Sequence, residues 1–125
     1  MKPEDYAKTG KESSHQGALF MWAALNRKLY PELELMFAIK NEEKSGSVIV
    51  GGAFKAAGVK AHVPDILLPV ARKGCHGLFI EMKRPGQKAR PGQVEYGNKV
   101  KIQGYGWCCC DSWEKAKDIL IQYLT

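Results

Sequence analysis

Apolar and polar positions form two strand-like runs near the middle of the chain, His62-Val63-Pro64-Asp65-Ile66-Leu67-Leu68 and Gly77-Leu78-Phe79-Ile80-Glu81-Met82-Lys83-Arg84-Pro85. Each carries charge at its edge. Ala71-Arg72-Lys73-Gly74-Cys75-His76, between them, is basic and holds a glycine, which predicts a hairpin connection. Strand side chains alternate between faces, so Glu81 and Lys83 share one face. With the turn centred near Gly74, Asp65 falls opposite Lys83 and Leu67 opposite Glu81, all on that face. The other face then holds Ile66, Leu68, Val70, Leu78, Ile80 and Met82, which must be core. A slip of one residue would spoil both arrangements at once. Diagonal neighbours on such a pair sit roughly 7–8 Å apart, close enough for two carboxylates to converge on one ion.

The flanking segments predict helices and further strands. Residues 1–10 are polar and read as a flexible lead-in. A helix begins near Glu12-Ser13, where Ser13 and Gln16 fit a capping box. Leu19, Trp22, Ala23, Asn26 and Leu29 keep helical spacing, Phe20 and Leu25 widen the stripe, and Pro31 marks the end. Glu12 and Gln16 lie one turn apart on one face. Leu33–Ile39 reads as a strand, 41–47 as a polar loop, and Val48–Lys60 as a short helix ending at Gly58. Pro91 suits the first turn of a helix through Gln93, Val94, Tyr96, Gly97, Val100 and Ile102, with Gln93, Lys99 and Lys101 on its polar side. Gly104-Tyr105-Gly106 breaks it. Trp107-Cys108-Cys109-Cys110 is a short apolar strand. Asp111 and Glu114 form a second capping-box pattern, and the last helix buries Trp113, Ala116, Ile119, Leu120, Tyr123 and Leu124. The order α-β-(α)-β-β-α-β-α predicts one α/β domain over residues 1–125, a mixed sheet flanked by helices.

Composition narrows the partners. At 125 residues and 45% hydrophobic content the chain can bury a core of its own. Lys plus Arg number 19 against 13 Asp plus Glu, a net charge of +6, which favours an anionic partner such as nucleic acid. No apolar run approaches a membrane span, and the N-terminus has no apolar signal-peptide core, so the expectation is an intracellular protein that is not secreted and has no membrane partner. The cysteines, Cys75 and the consecutive Cys108, Cys109 and Cys110, offer neither a disulfide framework nor a Cys-x-x-Cys zinc spacing. In a buried strand they serve as small apolar residues.

Pro64-Asp65 followed by Glu81-Met82-Lys83 resembles the signature of the PD-(D/E)xK nuclease superfamily. The element order is similar to that family's restriction-endonuclease-like αβββαβ core, with Leu33–Ile39 as its first strand. More narrowly, the chain resembles a stand-alone, phage-type VRR-NUC (virus-type replication-repair nuclease) domain. That resemblance rests on the polar loop with Asn41, Gly58 ahead of Pro64-Asp65, the run Phe79–Pro85, Gln93, and Gly104-Tyr105, across residues 12–124. His62 departs from the pattern, which implies a glycine before the Pro-Asp; a larger side chain there would narrow the site or touch substrate.

The resemblance implies a metal-dependent, structure-selective DNA endonuclease. Asp65 and Glu81 supply hard oxygen ligands suited to Mg²⁺ or Mn²⁺, with the backbone carbonyl of Met82 completing the set. A metal so held would polarise a phosphate and activate a water. Lys83 would orient that water, help deprotonate it or steady the developing charge, and the sequence does not choose among these roles. By the resemblance, Glu12 places a further acid at the metal, and Gln93, at the position of the family's downstream glutamine, would help hold the site or the scissile phosphate. Gln16 is either a cap partner or a contact to water or phosphate. Lys73, Arg84, Lys88, Arg90, Lys99 and Lys101 are candidate contacts to the DNA backbone. The implied partners are double-stranded or branched DNA, above all four-way (Holliday) junctions, and a second copy of the chain. A flap or nicking nuclease acting as a monomer, a non-catalytic DNA-binding module and an RNA-processing nuclease stay open. A viral origin would place the protein in the cytoplasm of the host cell.

Overall fold

Alternation along the central strands sorts their side chains as expected. Ile66, Leu68, Val70, Leu78, Ile80 and Met82 are all buried on one face. The computed structural model describes residues 1–40 and 56–125. Among these, a four-stranded sheet runs in the order β1 (Phe37–Ala38), β2 (Ile66–Leu68), β3 (Leu78–Met82), β4 (Gly106–Cys110). The first two pairings are antiparallel and β3–β4 is parallel. Helices α2 (Glu12–Leu25) and α4 (Trp113–Leu124) cover the apolar face, packing Ala18, Leu19, Trp22, Trp113, Ala116 and Leu120 onto it. Full burial of each Leu or Ile contributes roughly 1.5–3 kcal/mol. Helix α3 (Pro91–Ile102) lies on the opposite face. There Gly97 lets the Trp107 ring approach so closely that a Cβ would stand 2.5 Å from it, and Tyr96 meets Phe79 edge-on at 6.4 Å. The mixed sheet with helices on both faces is the architecture that the element order implies.

The hairpin register differs from the expected one by two residues. The turn is a two-residue loop in which Lys73 (φ +51°) and Gly74 (φ +79°) are both left-handed, so it closes between Arg72 and Cys75 and not around Gly74. On its way into the turn the first strand carries one residue more than the second. Pro69, which has no N–H to give a ladder, occupies this kink, and Val70 N–H turns back to the Leu68 carbonyl at 2.9 Å. Together these pair Leu67 with Phe79 and Leu68 with Leu78. The same register continued places Asp65 opposite Glu81, not Lys83. A shift of two preserves the faces, so the clustering survives the correction.

Other boundaries move as well. Residues Pro3–Ala7, within the stretch read as a flexible lead-in, form a short helix, α1, whose Tyr6 ring rests against Gly17 of α2. Helix α2 starts after Lys11, whose side chain provides no cap, so the Ser13–Gln16 capping box is not formed. It ends at Leu25, six residues before Pro31, and Leu25 and Leu29 are exposed rather than part of the buried stripe. Leu33–Ile39 is mostly not a strand. Pro31–Leu35 winds into a 3₁₀ helix that buries Leu33, and only Phe37–Ala38 joins the sheet. Ser112, not Asp111, caps α4, with its hydroxyl accepting the Lys115 N–H at 3.2 Å. The expected loop at 41–47, with Asn41, and most of the Val48–Lys60 segment lie outside the described residues; Gly58 has φ +95°. No helix among the described residues is long and apolar enough to cross a membrane.

Candidate active site

The N-terminal ends of α2 and α3 converge on the end of the sheet where β2 begins and β3 finishes. There Glu12 of α2, Asp65 and Glu81 each present a carboxylate oxygen within 4.8 Å of the others. Asp65 is held from both sides. Its carbonyl accepts the Ile39 N–H at 2.7 Å, and its Oδ2 accepts the Met82 N–H across the strand pair at 2.9 Å. The Met82 side chain is fully buried in the core, so only its backbone faces this site. Glu81 is 1% exposed and Asp65 7%, a costly setting for carboxylates without compensating partners. Lys83 Nζ lies 3.9 Å from Glu81 Oε1, itself buried, and brings the one ammonium that the hairpin parity predicts.

Gln93 is placed differently from the expectation. It belongs to the inward side of α3, at 2% exposure, not to the polar side with Lys99 and Lys101. Its Nε2 donates to Glu81 Oε1 at 3.0 Å, and its Oε1 accepts the Arg90 N–H at 2.8 Å. The backbone donor fixes which end of the amide faces the carboxylate.

A cleft of about 680 Å³ opens onto the acids. Gln16 and Arg84 line it with Glu12 and Asp65. His62, the departure from the family pattern, takes φ +69°, a conformation that glycine adopts freely and other residues seldom do. Its ring packs against Gly92 at the start of α3, where an added Cβ would stand 2.5 Å from Nε2. Of the expected DNA contacts, Arg84 lines the cleft, and Lys88 and Arg90 are exposed on the loop that leads from Lys83 to α3. Lys73 sits in the turn at the far end of the hairpin, away from the acids. Lys99 pairs with Glu95 at 3.4 Å, and Lys101 lies over the Trp107 ring at 5.4 Å, both toward the C-terminal half of α3.

Two neighbours carry no signal in the sequence. His15, one turn beyond Glu12, is buried, and its Nδ1 accepts the Trp113 N–H at 3.0 Å, which ties α2 to the start of α4 across 98 residues of chain. Its chemistry is legible only once those elements are packed. Cys109 pairs with Glu81 in the β3–β4 register and so shares its face. Burial, then the Glu81 charge, push its thiol pKa up, so it stands beside the acids as a neutral thiol. The adjoining Cys110 sulfur, and then burial, likewise push the Cys108 thiol up.

Three carboxylates this close repel one another, and a hard divalent cation is the partner that such an all-oxygen set fits. No protein-family model matches the chain, and no curated protein matches it in sequence. Among solved structures, a chain described as a VRR_NUC domain protein superimposes with a TM-score of 0.77 at 24% identity, covering 91% of this chain and 88% of that one. The two share a fold: the mixed sheet, its flanking helices and their order.

Proposed function

We propose that the protein is a metal-dependent nuclease that hydrolyses phosphodiester bonds in DNA, selects branched structures such as four-way junctions, and works as a homodimer. The observation that carries this reading is the meeting of Glu12, Asp65 and Glu81 oxygens within 4.8 Å, with Lys83 3.9 Å from Glu81. The fold shared with a VRR_NUC domain protein and the net charge of +6 support it.

Glu12, Asp65 and Glu81 would hold Mg²⁺ or Mn²⁺, joined by the Met82 backbone carbonyl. The bound ion supplies Lewis acidity toward the phosphate and lowers the pKa of water. The chain's own residues do the rest. Gln93 and the Met82 N–H keep the Glu81 and Asp65 carboxylates in place, so no reorganisation is required when charge develops. Lys83 offers its ammonium to the attacking water or to the phosphate oxygens. Arg84, which lines the cleft, would contact the DNA backbone there. A four-way junction presents opposed strands related by two-fold symmetry, which a symmetric pair of sites would match.

The test incubates the protein with a labelled four-way junction, with flap, nicked, linear duplex and RNA substrates beside it, in Mg²⁺ or Mn²⁺. Cleavage of the junction by the parent and its loss in Asp65→Asn and Glu81→Gln is the expected result. Undiminished cleavage by those variants, or none by the parent in either metal, rejects the assignment. Sedimentation at the assay concentration reads the dimer directly.

A further inference from the structure

The cleft beside the acids extends well beyond them. Its lining continues through the α1–α2 connection and the first turn of α2, with Thr9, Lys11 and Ser13, and it includes Arg84. None of the first three belongs to the motif residues from which the catalytic reading starts. The structure builds this part of the lining from a segment whose sequence looks like a plain polar lead-in. Helix α1 packs on α2 through Tyr6, whose ring lies 3.4 Å from where a Gly17 Cβ would be. Gly10 takes φ +69° to turn the chain between the helices. Thr9 Oγ1 then shares a 2.5 Å hydrogen bond with Ser14 Oγ and accepts the Lys11 N–H at 3.4 Å. The connection is thereby fixed onto α2, with Lys11 immediately before Glu12.

The chemistry of the lining specifies the ligand. Lys11 and Arg84 are both exposed cations with no salt-bridge partner among the described residues. The hydroxyls of Thr9 and Ser13 and the amide of Gln16 are hydrogen-bonding groups with no preference for any base. Cations with small polar groups bind phosphate and sugar oxygens and read no sequence. At about 680 Å³ the cleft falls within the range of roughly 300–1,000 Å³ typical of small-ligand sites, room for a short length of backbone strand.

Building on the nuclease reading above, we infer that Lys11, with Thr9, Ser13 and Arg84 in the same cleft, forms a subsite for the DNA phosphate that adjoins the scissile one. Lys11 and Glu12, neighbours in the chain, then do opposite jobs. Glu12 faces the cation and Lys11 faces the strand that the cation acts on. The α1–α2 connection is in this way part of the substrate path, and Tyr6 acts at a distance by holding it there.

The test measures equilibrium binding of a labelled four-way junction, without divalent metal, across a salt series for the parent, Lys11→Ala, Lys11→Arg, Arg84→Ala and Lys28→Ala. Lys28 lies beyond the other end of α2 and serves as the control. Loss of one phosphate contact weakens binding and lowers the slope of log K against log salt by about 0.9. The expected result is that drop, with several-fold weaker binding, for Lys11→Ala and Arg84→Ala, near-parental behaviour for Lys11→Arg, and no change for Lys28→Ala. A Lys11→Ala slope equal to that of the parent and of Lys28→Ala overturns the subsite, whether or not the parent cleaves. A parent that binds with the expected slope pattern but cleaves nothing in Mg²⁺ or Mn²⁺ leaves the subsite standing and removes the nuclease reading. A parent that does not bind DNA removes both.

Discussion

Gln93 donates its Nε2 hydrogen to Glu81 Oε1 at 3.0 Å while its own carbonyl oxygen accepts the Arg90 N–H at 2.8 Å. The amide is therefore clamped between the start of α3 and the carboxylate at the end of β3, and it cannot turn over without losing both bonds. On the nuclease reading proposed above, a residue so placed would fix the orientation of the carboxylate that holds the metal without itself touching the ion. Removal of such a partner typically costs about 10–100-fold in metal affinity or activity. Gln93→Ala should raise the metal concentration for half-maximal cleavage by about that factor, measured by Mg²⁺ titration of junction cleavage. An unchanged titration would mean that Glu81 holds its position without the amide.

How much of this site was legible in the sequence follows from how each residue is specified. Asp65, Glu81 and Lys83 were readable because strand parity is local: six apolar residues on one face leave the charged ones on the other, whatever the register. The pairing itself was not readable to the residue, because the left-handed pair Lys73-Gly74 and the kink at Pro69 each move the register by one. Glu12 was reached through family resemblance, and the structure brings its carboxylate to the other two. Gln93 was reached through the resemblance as a residue that helps hold the site, but its inward orientation was not, since an isolated glutamine near a helix start reads as part of the polar side until Glu81 is known to lie opposite. His15 was beyond reach, because its partner is a backbone N–H far along the chain. Capping boxes misled at both helix starts because the motif fits neighbouring frames: Ser112, one residue beyond Asp111, does the capping.

The contact of His62 with Gly92 gives a second prediction. An alanine at position 92 would set its Cβ 2.5–2.8 Å from three ring atoms of His62, so the ring would have to leave its place to admit it. Gly92→Ala should destabilise the protein by about 1–3 kcal/mol, the usual range for overpacking. With His62→Gly the ring is gone, and glycine also suits the left-handed φ of +69°. The double variant should accordingly recover most of the loss, giving a strong coupling in a double-mutant cycle read by urea unfolding. Simple additivity would show that the ring does not occupy this notch.

His15 supplies the third. The Trp113 N–H at the first turn of α4 has the imidazole Nδ1 as its acceptor in a buried setting. His15→Leu removes the acceptor and leaves the N–H buried with nothing to replace it. The cost of such an orphaned donor is about 1–3 kcal/mol. Urea unfolding should show a loss of that size. Because His15 follows Glu12 by one turn, the folded variant should also need more metal than the parent, and a stability loss with parental metal dependence would confine His15 to the core.

The last prediction concerns acid and the loop that carries Arg84, Lys88 and Arg90. Asp111 accepts the Lys115 ammonium at 2.6 Å and the Gly86 N–H at 3.0 Å, so it pins the loop between β3 and α3 to the start of α4. The Lys115 side chain first, and the Gly86 N–H second, hold its carboxyl below the ordinary value of 3.8. The pair also raises Lys115 above 10.5, chiefly through the hydrogen bond to Asp111. A carboxylate whose folded pKa is depressed contributes stability at all pH above its unfolded value and loses it as pH falls through the folded one. A lysine whose folded pKa is raised contributes below its unfolded value and loses it as pH rises through the folded one. The stabilisation lost in Asp111→Asn should therefore be constant from about pH 5 to pH 9, shrink below 3.8 as the parental carboxylate takes up its proton, and shrink again above 10.5. Lys115 is exposed and Asp111 only partly buried, so the difference in melting temperature will be small and will weaken in high salt. A difference that did not shrink at all as pH falls below 3.8 would mean that the substitution acts through something other than loss of the carboxylate charge.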